Sequence, residues 1–201
     1  MNALVGIARW WGAANASVLR VGRLLGWIAL LLMVAIILAQ VFWRYALNNA
    51  LPWPEEAARG LMIWMMALVA PTAYRWSGFV AIDMVPDLLP RVPRLLLNLA
   101  IQFLALAVLL VMLGHAWTHF SSPILFNSSG LNRLVQDSGI NDLLGTSLEF
   151  RTSYIYLAMS VGLLLLLSVT GELIVRTIGR LLGGEDETFR IGPSPLLIEA
   201  E

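Results

Sequence analysis

Leu24-Leu-Gly-Trp-Ile-Ala-Leu-Leu-Leu-Met-Val-Ala-Ile-Ile-Leu-Ala-Gln-Val-Phe-Trp43 contains no charged residue and is bounded by Arg23 and Arg44. A hydrocarbon core about 30 Å thick takes roughly 20 apolar residues of helix to cross, and this run has that length. Lipid is therefore the solvent that this stretch is built for. A cleaved signal peptide has a shorter apolar segment followed by a small-x-small cleavage site. Neither feature is present, so the run reads as an uncleaved helix. The residues before it, with Arg9, Trp10 and Trp11, fit an interfacial helix lying on the membrane.

Three further runs have the same character: about Ala57 to Tyr74, Leu95 to Phe120, and Tyr154 to Val175. The second is trimmed by Arg59 at one end and Pro71 at the other. Composition agrees, because 59% of the 201 residues are apolar and only 13% are charged. A soluble domain carries about 25% charge, so this chain could not cover its surface in water. The reading is an all-α integral membrane protein, with four transmembrane helices plus interfacial amphipathic helices. Residues 1–182 form the membrane domain, with spans at about 24–43, 57–74, 95–120 and 154–175, and 183–201 is expected to be a disordered cytoplasmic tail.

The connections differ. Between spans one and two, Asn48-Asn-Ala-Leu-Pro-Trp-Pro-Glu-Glu56 makes a turn and then starts a helix. Pro54 suits a first helical position, and Glu55 and Glu56 suit the positive end of the helix dipole. Pro86, Pro90 and Pro93 forbid a continuous helix between spans two and three. From Ser121 to Ser153 the chain is long for a linker. Within it Ile140, Leu143, Leu144 and Leu148 fall at helical spacing, which predicts an amphipathic helix, separated by Ser138-Gly139 from a shorter piece at Leu131, Leu134 and Val135.

Four spans put both termini on one side. That side collects Arg9, Arg20, Arg23, Arg75, Arg91, Arg94, Arg176, Arg180 and Arg190; the other holds Arg44, Arg59, Arg133 and Arg151. The excess of Arg places both termini in the cytoplasm by the positive-inside rule.

Little in the sequence carries chemistry. Without Cys there are no disulfides, thiolate metal sites or thiol nucleophiles, and zero net charge gives no reason to expect nucleic acid. His115 and His119 share one helical face, but no carboxylate lies within the same two turns; both rings are expected at the outer interface. Glu172 precedes Arg176 by one turn, in the favourable order for an i,i+4 pair, and should pair with it near the cytoplasmic surface. Trp64, Met65 and Met66 read as core-packing residues. A solute path needs polar residues within the spans, and these offer only Gln40, Asn98, Gln102, Thr170, Glu172 and a few hydroxyls. Neither metal nor other cofactor is expected, and the chain does not read as an enzyme.

Two Arg and two Glu confined to the first hairpin point to ion pairing within it or with a partner. The motif Arg44-Tyr45-Ala-Leu-Asn-Asn-Ala-Leu-Pro-Trp53-Pro-Glu55-Glu56-Ala-Ala-Arg59, then Trp64, then Gly78-Phe-Val-Ala-Ile-Asp83, resembles the small permease subunit, of DctQ type, of tripartite ATP-independent periplasmic (TRAP) transporters. The pattern covers residues 44 to 83; beyond it the likeness lies in length, four spans and cytoplasmic termini. Phe79 stands where such subunits often carry His, and the loop between spans three and four is longer than is usual for them.

The resemblance implies a subunit of a sodium-driven, binding-protein-dependent importer of an organic anion, such as a carboxylate or acidic sugar, in the bacterial inner membrane. It would act as scaffold for a large permease subunit, alongside a periplasmic substrate-binding protein and membrane lipids. Arg44, Tyr45, Trp53, Glu55, Glu56, Arg59, Trp64 and Asp83 are then expected at the interface with the large subunit. The alternative is a haem-bearing membrane anchor of a respiratory enzyme, with His115 or His119 as ligand. A stand-alone exporter is disfavoured by the long loop and the sparse intramembrane charge.

Overall fold

A computed structural model describes residues 2–49, 51–76, 89–121, 130, 132 and 153–182. Four helices emerge: α1 (Asn2–Ala46), α2 (Pro54–Arg75), α3 (Arg91–Ser121) and α4 (Ser153–Leu181). Each is long and apolar enough to cross a membrane, and each contains one of the expected spans. The chain is an all-α, multi-pass membrane protein. The amphipathic stretches around Leu134 and Leu144, the Gly78–Asp83 segment and the tail after Gly183 lie outside the described residues.

The stretch before span one is not a separate interfacial helix. It continues into the span, so that α1 runs unbroken for 45 residues, about 68 Å at 1.5 Å per residue. The cause is a single buried seam. Ala8, Gly12, Asn15, Leu19, Gly22, Gly26 and Ala29 are buried, and their steps alternate between four and three residues, which keeps one stripe facing its partners. Most of these residues are small, and small residues let backbones approach closely in lipid, where packing rather than hydrophobicity drives association. A Cβ added at Gly22 would lie 3.1 Å from the Leu68 carbonyl oxygen, and one at Gly26 would lie 2.5 Å from Val69 Cγ2. Those two glycines seat α1 on α2.

Local rules set the ends of the first hairpin. Asn48 adopts a left-handed conformation (φ 52°), which Asn tolerates better than most residues, and the Asn49 N–H reaches back to the Trp43 carbonyl at 3.2 Å. Pro54 then opens α2, with Glu55 and Glu56 in its first turn. Further along, Pro71 has no N–H, so the Ala67 carbonyl loses its helical donor. Gly162 of α4 packs there, where a Cβ would meet Ala67 Cα at 3.0 Å and its carbonyl oxygen at 3.1 Å. A proline in one helix and a glycine in the next thus produce one close crossing.

α4 is the centre of the bundle. Of its most apolar stretch 44% is buried, against 11% for α1 and for α2 and none for α3. It runs antiparallel to α1 and parallel to α2, and contacts both. Among the described residues, α3 packs on α4 alone, through a seam that includes Leu95, Gln102, Leu109 and Ala116. The rest of α3 faces outward.

Candidate functional site

Polar side chains gather at the two ends of the bundle: the hairpin end, where α1 gives way to α2, and the terminal end, where α1 begins and α4 finishes.

At the hairpin end, Arg59 pairs with Glu55 at 3.0 Å, one helical turn apart and largely exposed. Glu56 turns the other way and accepts the Gly130 N–H at 3.1 Å, tying the first hairpin to the connection between α3 and α4. Only glycine fits at that point, since a Cβ on Gly130 would lie 2.9 Å from the Pro52 carbonyl oxygen. Arg44 lies over the ring of its neighbour Tyr45, 6.0 Å from the centroid, and both are exposed. Trp53 occupies the N-cap of α2 without a side-chain capping bond. Of the eight residues expected to form one interface, the hairpin gathers Arg44, Tyr45, Trp53, Glu55, Glu56 and Arg59. Trp64 is half-buried within α2, and Asp83 lies outside the described residues. Trp64 and Met65 are half-buried, but Met66 is 66% exposed. The core role expected of Met66 is therefore corrected: its side chain falls on the face of α2 that neither α1 nor α4 covers.

The terminal end holds what the sequence reading did not assemble. Glu172 is buried to 1% exposure and pairs with Arg176 at 2.7 Å, as expected. It also binds Arg75 of α2: Nη2 lies 2.8 Å from Oε1, and Nε lies 3.1 Å from Oε2. Two parallel N–H bonds of this kind are the strong, directional form of a charge-assisted pair. The same Arg75 Nη2 donates to the Gly12 carbonyl at 3.0 Å. From α1, Asn15 Nδ2 donates to Glu172 Oε2 at 2.8 Å. Its carbonyl oxygen accepts the Ser168 hydroxyl at 2.7 Å, and that hydroxyl in turn accepts the Trp11 indole N–H at 3.2 Å. The Trp11 ring covers Gly171, where a Cβ would lie 2.9 Å from the indole.

One carboxylate therefore joins three helices. Isolated, it would pay a large desolvation cost in lipid; here two guanidiniums and an amide surround it. This lock has no vacant group aimed at a solute. It is a structural clamp built around Arg75 and Glu172, the buried charged side chains among the described residues.

On α3, His115 is exposed and the His119 ring stacks on Tyr156 of α4 with centroids 6.0 Å apart. Among the described residues no three His, Asp or Glu side chains come together as a metal site. Gln102 Oε1 is buried in the α3–α4 seam with no hydrogen-bond partner among the described residues.

No curated protein and no solved structure matches the chain. The family model described as the DctQ component of tripartite ATP-independent periplasmic transporters matches residues 33–180. That match runs from within α1 to the end of α4, through the hairpin, the proline–glycine crossing and the Arg75, Glu172 and Arg176 part of the lock, and the chain belongs to this transporter family as its small membrane component.

Proposed function

We propose that this chain is the fixed scaffold of a sodium-driven, binding-protein-dependent importer of an organic anion, a carboxylate or an acidic sugar. It holds the large permease subunit in the bilayer while that subunit moves the solute, and it catalyses no reaction itself. The sodium coupling and the substrate class are what the family resemblance implies; the scaffold role draws on the geometry. The observation that carries it is the Glu172 lock. The buried charged groups among the described residues, Glu172 and Arg75, are spent on joining α1, α2 and α4, an arrangement suited to rigidity and not to passing an anion. With both termini in the cytoplasm, as the Arg asymmetry argues, the lock lies on the cytoplasmic side and the hairpin faces the periplasm, toward the substrate-binding protein.

Uptake into proteoliposomes tests this reading. The large subunit should need this chain for transport, whereas Asn98→Leu and Gln102→Leu should leave the apparent KM unchanged. A tenfold rise in KM, about 1.4 kcal/mol, would put solute contacts on this chain and overturn the scaffold role. The haem-anchor alternative gains nothing from the geometry, because both histidines sit on α3.

A further inference from the structure

We propose that the outward stripe of α2, running from Glu55 and Arg59 through Met62, Met66 and Val69 to Ala73, seats a transmembrane helix of the large permease subunit. This rests on the scaffold reading above and names the surface that performs it.

Three observations converge on the stripe. The first is position. α2 contacts both α1 and α4, and among the described residues its third side carries the exposed Glu55, Arg59, Met62, Met66 and Ala73, with Val69 at its edge, where Cγ2 reaches Gly26 of α1. Their steps alternate four and three residues, the spacing by which one helix presents a continuous seam to another.

The second is composition. α2 is the least apolar of the four spans, and its open side begins with an ion pair. The open sides of α1 and α3 carry residues such as Leu31, Leu38, Leu104, Val108 and Val111, which lipid chains solvate well. A helix facing lipid should be the most apolar of a bundle, and charged groups within spans turn toward protein. The uncovered face of α2 thus opens on an ion pair, which suits a protein neighbour better than lipid chains.

The third is side-chain type. Met62 and Met66, 58% and 66% exposed, sit near the middle of the helix. Unbranched and polarisable, Met moulds itself to an irregular opposing surface, and Ala73 below it lets a second helix come close. A second copy of this chain fits less well. A two-fold axis along the membrane normal would set each stripe against itself, with like charges at the same depth.

The absence of Cys makes the test direct. Single Cys residues replacing Met62, Met66 or Ala73, and Leu104 or Val111 as α3 controls, are labelled with benzophenone maleimide. The membranes, containing the co-expressed large subunit, are then irradiated. All five positions are exposed, so the label displaces no packed side chain. The expected result is an adduct with the large subunit from the three α2 positions and none from α3. Adducts from α3 instead, adducts between two copies of this chain, or lipid adducts alone at Met66 would overturn the proposal. Recovery of the large subunit before irradiation separates the two levels. If it co-purifies but does not cross-link from α2, only the face is wrong; if it fails to co-purify with the unsubstituted chain, the scaffold reading falls as well.

Discussion

Glu172 Oε1 lies 2.8 Å from Arg75 Nη2 across 97 residues of sequence, and neither side chain is more than 7% exposed. Breaking a buried pair by removing one partner typically costs 3–5 kcal/mol, whereas replacing the pair together by apolar groups costs far less. Glu172→Met and Arg75→Met should each destabilise the detergent-solubilised chain by about that amount. The double variant should lose clearly less than the sum, because no buried charge is then stranded between these two positions. Strict additivity in SDS-induced unfolding would show that the two groups do not act as a unit.

The Gly162–Ala67 crossing predicts opposite effects for two substitutions of the same kind. Gly162→Ala drives a methyl group against backbone atoms 3.0–3.1 Å away, and overpacking of this sort costs about 1–3 kcal/mol. Gly114→Ala meets nothing within 4 Å and should gain up to about 1 kcal/mol from helix propensity. Melting temperatures of the two variants should move in opposite directions from that of the unsubstituted chain. A shared direction would contradict the close approach of α2 and α4.

Within the hairpin, the two glutamates should behave differently. Glu55 and Arg59 form an exposed i,i+4 pair worth at most about 1 kcal/mol. Arg59→Ala should therefore leave the stability of the isolated chain almost unchanged while reducing recovery of the large subunit. Glu56→Ala removes the acceptor of the Gly130 N–H, so it should raise the rate of proteolysis between residues 121 and 153. Equal protease sensitivity of both variants would show that Glu56 does not hold that connection.

Orientation yields to labelling. Cys introduced at Ser138 should react with a membrane-impermeant thiol reagent added from the periplasm, and Cys at Ser194 should react only after the membrane is opened. Reaction of both from the same side would contradict four spans with cytoplasmic termini.

The four spans were legible because an apolar run bounded by Arg is a one-dimensional signal: length alone matches the bilayer. Ion pairing at the first hairpin was legible from its two Arg and two Glu, though the partners were not; i,i+4 spacing on a helix is likewise a one-dimensional signal. Glu172–Arg176 was legible in the same way, but the rest of the lock was not. Asn15 and Trp11 read as part of an interfacial segment, and Arg75 as a flanking charge, because only the packing of α1, α2 and α4 brings them to one carboxylate. A signal was present all the same. The four-three stepping of Ala8, Gly12, Asn15, Leu19, Gly22, Gly26 and Ala29 crosses Arg20 and Arg23 without a break, which argues for one packed helix and not a tail followed by a span. Met66 misled for the converse reason. In lipid an apolar side chain is at home on either side of a helix, so sequence alone does not tell a core face from an outer one.

The order in which the lock's parts are synthesised gives Arg75 a waiting time. The ribosome completes α2 long before α4, and Glu172 follows Arg75 by 97 residues. At about 5–20 residues per second, that is an interval of about 5–20 s. During it the end of α2 lacks the Glu172 carboxylate that receives its guanidinium in the finished bundle, and α3, made in the meantime, packs on α4 alone among the described residues. Until α4 arrives Arg75 can hold only the α1 side of the lock, the Gly12 carbonyl, so the first three helices are a partly seated intermediate that the fourth draws together. Truncation before Glu172 should leave α2 exposed to membrane quality control, even though its own sequence is intact.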